Sequence, residues 1–492
     1  MSWIKDLLLT GMILLLGAPG IRAQQDASSV TMDDLYQMLQ AQQKLIESQG
    51  KALAALSARM DEMAQRQPQV VGETGAAPSG DLVSLQERMA ALEKMEQSRT
   101  EMPANVLTAG EFPGSIRIPG TNMAGKVGGN VRLGVVNNFD PIGSEDRFIV
   151  GSIPVPPGGS SDGEALFEGV NISAKRSRLN LDMRMDSSVG QFRAFVEGDF
   201  VTEVDSSDVY RLRHAYGQYR RLIVGQTWST LMDLAAEPEE LDFEGLNGEV
   251  VQRRPILRWS RGLGSKRLFS VAIEDPSPDI ANGASKSDVP DLVSTIHVQR
   301  DTGHIQLGGV LRDLKGEQAL DPDGEETRTD STLGWGLSFS GSHFLQKAQK
   351  KDKLIWQLNY GEGLGHYIND TAAIGGQDAV FSPGGSLEAL PVFGGYVAYQ
   401  HFWHRDPLSY LAGKSLLRNL RSTLVYGYTS VNNVDFQPDD AYAETQRASL
   451  NLIWSPLAPI DVGVEYLWGS RRNKDGSRGT ANQFQIVATF NF

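Results

Sequence analysis

The sequence predicts a mainly β fold: a 16-stranded antiparallel transmembrane β-barrel with an N-terminal periplasmic α-helical coiled coil. Three observations predict it. Across residues 125–492 apolar side chains recur at a period of two, which places them on one face of successive strands. The opposite faces are rich in Arg, and an unpartnered buried guanidinium costs several kcal/mol, so those faces meet water and the apolar ones meet lipid. The last ten residues, QFQIVATFNF, alternate to the end: Phe484, Ile486, Ala488, Phe490 and Phe492 share one side, and Val487 is the one apolar residue on the other.

The start of the chain reads as an export signal over residues 1–23. Lys5 precedes an apolar stretch from Leu7 to Leu16, then come Gly17, Pro19 and Gly20, with a cut expected after Ala23. That stretch is about half the length a bilayer-spanning helix needs, and no longer apolar run follows. The 40% hydrophobic content is too low for a bundle of membrane helices. With no cysteine, disulfides and thiolate chemistry are excluded. A net charge of −14 argues against general nucleic-acid binding.

Residues 24–99 carry the coiled-coil pattern. Met32, Leu35, Leu39, Ile46, Leu53, Leu56, Met60 and Met63 recur at steps of three and four, with Gln42 and Gln49 filling seam positions. A shorter seam of Leu82, Leu85, Met89 and Leu92 follows a Gly/Pro-bearing break. A narrow seam containing Gln favours partner helices over a lone amphipathic helix, without choosing dimer or trimer. Residues 100–124 are a Pro/Gly-rich linker.

From residue 125 the strands begin near 125, 172, 190, 207, 219, 250, 265, 291, 302, 330, 352, 391, 415, 442, 459 and 480. Leu179, Leu181, Met183 and Met185 oppose Arg178, Asn180, Asp182 and Arg184; Leu333, Trp335, Leu337 and Phe339 form another lipid-side run. Trp228, Trp259, Trp356, Trp454 and Trp468 fall near the ends of apolar faces, where barrels meet headgroups. Short links alternate with long ones at 139–171, 229–249, 276–290, 313–330 and 361–390. Backbone groups in hydrocarbon must all pair, so the sheet closes and the final strand lies beside the first.

A barrel of this size encloses water, and the charges on its wall set selectivity. The polar faces carry Arg176, Arg178, Arg184, Arg193, Arg211, Arg213, Arg254 and Arg258. Such a ladder binds carboxylates and draws anions; alternatively, part of it pairs with Asp182, Glu197, Asp199 and Glu274 to stiffen the wall. His214 falls on the apolar parity with Leu212 and Tyr216, which reads as a lipid-interface or subunit-contact position.

GEFPGSIRIPGT (110–121), RLRHAYGQ (211–218), VGQTWSTLMD (224–233) and ELDFEGLNG (240–248) resemble the DcaP-like outer-membrane porins, and the likeness extends over nearly the whole mature chain. The resemblance implies a homotrimer, held through barrel walls and periplasmic N-terminal helices in the outer membrane of a Gram-negative bacterium, that takes up small organic acids, notably dicarboxylates. It also implies that the terminal aromatics Phe490 and Phe492 form part of the signal read by the barrel-insertion machinery.

Segment 229–250 is too long for a hairpin. By composition it is equally a surface loop or a constriction; in the family's architecture it folds inward. There Asp233, Glu237, Glu239, Glu240, Asp242 and Glu244 would set acid against the basic wall. Acidic outer loops match no defined calcium-loop spacing, so neither metal nor cofactor is assigned.

Other classes fit less well. Seven His occur singly, with no GxSxG or HExxH motif for an enzyme. A trimeric surface adhesin builds its barrel from few strands per chain. A phosphate, sugar or nonselective porin shares the architecture and differs only in its lumen.

Overall fold

The computed structural model describes residues 108–155, 166–201, 209–319, 326–345, 352–403 and 419–492. The expected signal peptide, the coiled coil and the first residues of the linker lie outside the described residues.

Sixteen antiparallel staves close into a barrel. They are β1 (Met123–Ile142), β2 in two pieces (Phe167–Ser173 and Arg178–Ser187), β3 (Gly190–Asp199), β4 (Arg211–Tyr219), β5 (Leu222–Trp228), β6 (Arg253–Gly262), β7 (Arg267–Glu274) and β8 (Asp291–Arg300). There follow β9 (Gly303–Ala319), β10 (Thr327–Phe344), β11 (Lys353–Glu362), β12 (Pro391–Phe402), β13 (Leu420–Val431), β14 (Tyr442–Leu457), β15 (Ile460–Asn473) and β16 (Arg478–Asn491). Each pairs with the next. β16 pairs back onto β1 from Asn130↔Asn491 to Asn138↔Gln483, so no sheet edge is left for lipid to strip of its hydrogen bonds. The expected number, order and closure of strands are all found.

β1 holds both pieces of β2, Asn130 facing Arg178 and Gly134 facing Ser173. At the break the Ser177 hydroxyl accepts from the Arg132 N–H at 3.0 Å, substituting for a lost ladder bond.

The lipid parity is as expected. Val127, Val131, Leu133, Leu179, Leu311, Leu333, Leu337, Leu424 and Leu450 all stand exposed. Such a continuous apolar belt is an aggregation liability in water and costs nothing against acyl chains. Phe490 and Phe492 are about half exposed at the same rim, and Phe492 exchanges both backbone hydrogen bonds with Gly129.

The lumen wall holds apolar side chains as well, and these mark where loops fold inward. Loop 229–252, between β5 and β6, packs Leu231, Met232 and Val250 against the β11–β12 loop (Leu364, Tyr367, Ile368) and against Val293, Val310, Val392 and Val431 of the wall. Its middle buries Ala236 and Leu246 on Ile355, Tyr396, Ala398 and Val425. Val487, the odd apolar residue of the last strand, is buried with Ile453 beneath Leu241 of the same loop. Each fully buried Leu or Val here contributes roughly 1.5–3 kcal/mol to docking.

Backbone meets backbone at Gly248, whose φ of +75° suits glycine and where a Cβ would lie 2.4 Å from the Gly395 amide nitrogen. The neighbouring Asn247 amide donates to the Thr445 carbonyl. A short helix, α1 (Asn369–Ile374), completes the plug; its Asn369 amide donates to the carbonyls of Glu244 and Leu246.

Candidate functional site

Loop 229–252 narrows the barrel and leaves a cavity of about 830 Å³ between itself and the wall of β1, β2, β4–β6 and β13–β16. Arg132, Arg178, Arg211, Arg213 and Arg253 line it on one side, and the loop brings Glu237 and Phe243 from the other.

Phe243 organises the basic side. The guanidinium carbons of Arg176, Arg178, Arg211 and Arg213 lie 5.1, 5.6, 6.0 and 5.5 Å from its ring centroid. The face of an aromatic ring attracts cations, so one ring partly offsets the mutual repulsion of four like charges. Trp228 serves likewise, with Arg253 at 4.7 Å and Arg213 at 6.0 Å.

Most of the expected ladder is partnered. Arg176 pairs with Asp146 at 3.2 Å, Arg184 and Arg193 converge on Asp182 at 2.8 and 2.9 Å, and Arg211 and Arg213 converge on Asp199 at 2.9 and 2.8 Å, Arg213 also reaching Glu197 at 3.1 Å. Arg254 lies beneath the plug, bonded to Asp291 at 3.0 Å and stacked on Tyr367 at 4.3 Å, outside the cavity lining. Arg178 has no carboxylate partner among the described residues, and Arg258 meets the Trp228 carbonyl at 3.5 Å. Two Arg on Asp182, together with Arg178 and Arg258, leave net positive charge on this wall.

Arg132 and Arg253 join the site without belonging to the expected ladder. Arg253 opens β6, where strict alternation points it toward lipid, and it has no carboxylate partner among the described residues. Phe243 joins it too, and a lone aromatic inside an acidic loop was its signal.

Two placements are corrected. His214 is 6% exposed and faces inward, its Nδ1 3.1 Å from the Thr227 hydroxyl and its ring edge-on to Trp228 at 5.3 Å. The cause is a β-bulge: Glu197 opposes His214 while Gly198 opposes Leu212, so Arg213 is an extra residue and the parity inverts beyond it. Trp228 also lies within the lumen, against His214 and Arg213 and away from the headgroup belt.

The acids of the loop mostly hold it to the opposite wall. Glu239 pairs with Arg421, Glu240 and Asp242 pair with Arg447 at 3.3 Å each, and Glu244 pairs with Arg147 at 3.2 Å. Asp233 is buried, 2.9 Å from His304 Nε2 and accepting from Ser340 at 2.6 Å. Glu237 alone of the six is exposed to the cavity without an ion pair among the described residues, under the charges of Arg178 and Arg213. Burial pushes Glu240 up to about 8 against the pull of Arg447, and burial likewise raises Glu244 and Glu249.

A smaller cavity of about 390 Å³ adjoins the first, shared by Arg178, Arg213 and Arg258 with Phe195, Tyr216 and Trp228. The two share Arg178, Arg213 and Trp228, and along this path Arg132, Arg178, Arg211, Arg213, Arg253 and Arg258 cluster on the wall while carboxylates of loop 229–252 line the facing side.

Comparisons with known proteins agree with this architecture. A family model described as DcaP outer membrane protein matches residues 115–371, just over half of the 492-residue chain. The crystal structure of the outer membrane channel DcaP of Acinetobacter baumannii superposes with a TM-score of 0.62 at 23% identity, covering 75% of this chain and 98% of that one. An anion-selective porin from Comamonas acidovorans gives 0.48 at 9% identity, covering 75% and 100%, and outer-membrane expressed OmpT of Vibrio cholerae gives 0.44 at 12%, covering 75% and 98%. No curated protein matches the chain in sequence. With its closed barrel of sixteen staves and its inward loop, the chain belongs to the DcaP outer membrane protein family.

Proposed function

We propose that this protein is an outer-membrane diffusion channel for small hydrophilic solutes that favours small organic anions, dicarboxylates foremost. One observation carries the reading: Arg178 and Arg253 face the cavity with no carboxylate partner among the described residues, beside Arg211 and Arg213, which share Asp199. Guanidinium stays charged and meets a carboxylate with two parallel N–H donors, so a solute with two carboxylates engages two such sites in turn. Glu237 on the facing loop sets a transverse field that orients the solute as it passes.

The family resemblance supports the remaining parts of the reading. The N-terminal coiled coil lies in the periplasm and, with the barrel walls, holds a homotrimer; Phe490 and Phe492 are read by the insertion machinery. No catalysis is assigned. The fold does assemble an acid–imidazole–hydroxyl chain, Asp233–His304–Ser342, but Ser342 is only 7% exposed beneath the plug and serves the loop anchor. A surface adhesin is disfavoured because one chain supplies every stave and the heptad pattern precedes the barrel in sequence.

Reversal potentials and current block in planar bilayers, with a dicarboxylate, phosphate and a neutral sugar compared, test the reading. Anion preference with strongest block by the dicarboxylate supports it. Equal block by phosphate points to a phosphate channel, and indifference to all three to a nonselective one.

A further inference from the structure

The turn-proximal part of the lumen wall brings two imidazoles to the first turn of the constriction loop. His297 on β8 and His304 on β9 stack with centroids 4.8 Å apart and an interplanar angle of 12°. Asp233, four residues after the loop leaves β5 at Ser229, reaches them from above. The donor atoms of Asp233, His297 and His304 all lie within 4.8 Å of one another. We propose that these three residues bind a single divalent transition-metal ion of the zinc class, which bridges the constriction loop to the barrel wall.

Donor chemistry selects the ion. Two imidazole nitrogens and one carboxylate oxygen suit zinc, cobalt or nickel; calcium and magnesium need a shell of oxygens that the site lacks. Tetrahedral zinc places its donors about 3.3 Å apart, given bonds near 2.0–2.1 Å. His304 Nε2 and Asp233 Oδ2 are already 2.9 Å apart, so the main movement falls to the His297 side chain. That ring has no hydrogen bond among the described residues and is only half-buried, so it can turn and gives the ion a route in from the lumen.

The outer shell is in place around the other two ligands. Ser342 Oγ lies 2.9 Å from His304 Nδ1 and fixes the ring so that Nε2 points at the site. Ser340 donates to Asp233 Oδ2 at 2.6 Å, and the Ala235 amide donates to its other oxygen at 3.2 Å. Three protein ligands leave a fourth position for water or a passing carboxylate.

The test uses full-length, untagged protein in detergent, stripped with a chelator. Zinc is titrated calorimetrically, and cobalt is followed by the visible absorption of its four-coordinate complex. One ion per chain is expected, with affinity falling at least about tenfold in His297→Ala, a change that removes only a stacking contact, and in His304→Gln. His366→Ala and His401→Ala, at the His–Asp pairs with Asp279 and Asp352, should bind as the parent does. Equal binding by the parent and His297→Ala, or no binding by the parent at micromolar metal, overturns the proposal. Heat-modified gel mobility verifies that every variant retains a folded barrel.

Discussion

The guanidinium of Arg178 stands 5.6 Å from the centroid of Phe243, so the constriction loop sets an aromatic face beside Glu237 against the basic wall. Three more Arg share that ring. The arrangement leaves these cations charged and close together, yet available to a solute.

Removing the charges of Arg178 and Arg253 should reverse selectivity. In Arg178→Glu, and more so in the Arg178→Glu/Arg253→Glu pair, block by a dicarboxylate should weaken roughly tenfold per residue, the equivalent of one charge-assisted hydrogen bond at about 1.5 kcal/mol. Dose-dependent current block in bilayers measures this. Arg254→Gln, buried on Asp291 outside the cavity, should leave block unchanged while lowering stability.

Phe243→Ala should disperse the Arg cluster at a cost of about 1–2 kcal/mol per desolvated contact. Higher conductance and poorer discrimination between anions are the expected outcome. Phe243→Leu keeps the bulk without the quadrupole, and should restore conductance but not discrimination.

Gly248→Val should release the loop and leave the barrel folded. The left-handed φ and the approach to Gly395 together cost about 1–3 kcal/mol or more, borne by the docking and not by the closed strand ladder. Single-channel records should show a larger and noisier conductance, with heat-modified mobility as in the parent.

Loop docking should weaken at alkaline pH. Glu240 titrates near 8 when docked, above the ordinary glutamate value, so the docked loop binds the proton more tightly than the free one. Docking is therefore favoured fully below the free value and loses that contribution as pH rises through about 8. Glu244 and Glu249 act in the same direction. Open-channel noise should rise above pH 8 and flatten in Glu240→Gln; noise appearing only on acidification would contradict the assignment.

Strand parity was legible because lipid and water impose opposite demands on alternate residues. Leu179 and Arg178 are adjacent in sequence and lie on opposite faces of the barrel, as their chemistry requires. Where a residue departs from that parity, backbone irregularity or tertiary docking is the cause. His214 was misplaced because one bulge residue inverts the parity, and a bulge leaves no mark in a period-two count. Asp242 and Glu240 were expected to face the Arg ladder, but Arg447 lies across the barrel in a strand far along the sequence, and only the closed fold brings it to them. Val487 was the visible clue: an apolar residue on a wet face needs a cover, and Leu241 supplies it.

The most direct measurement uses the absence of native cysteine. Arg178→Cys and Leu179→Cys are each treated with a charged, membrane-impermeant thiol reagent during bilayer recording. Reaction at position 178 should alter the current stepwise, once per conducting pore, while position 179 should leave it unchanged. Current that responds at 179 and not at 178 would mean that the wet and greasy faces are exchanged, and the arginine-lined channel would be wrong.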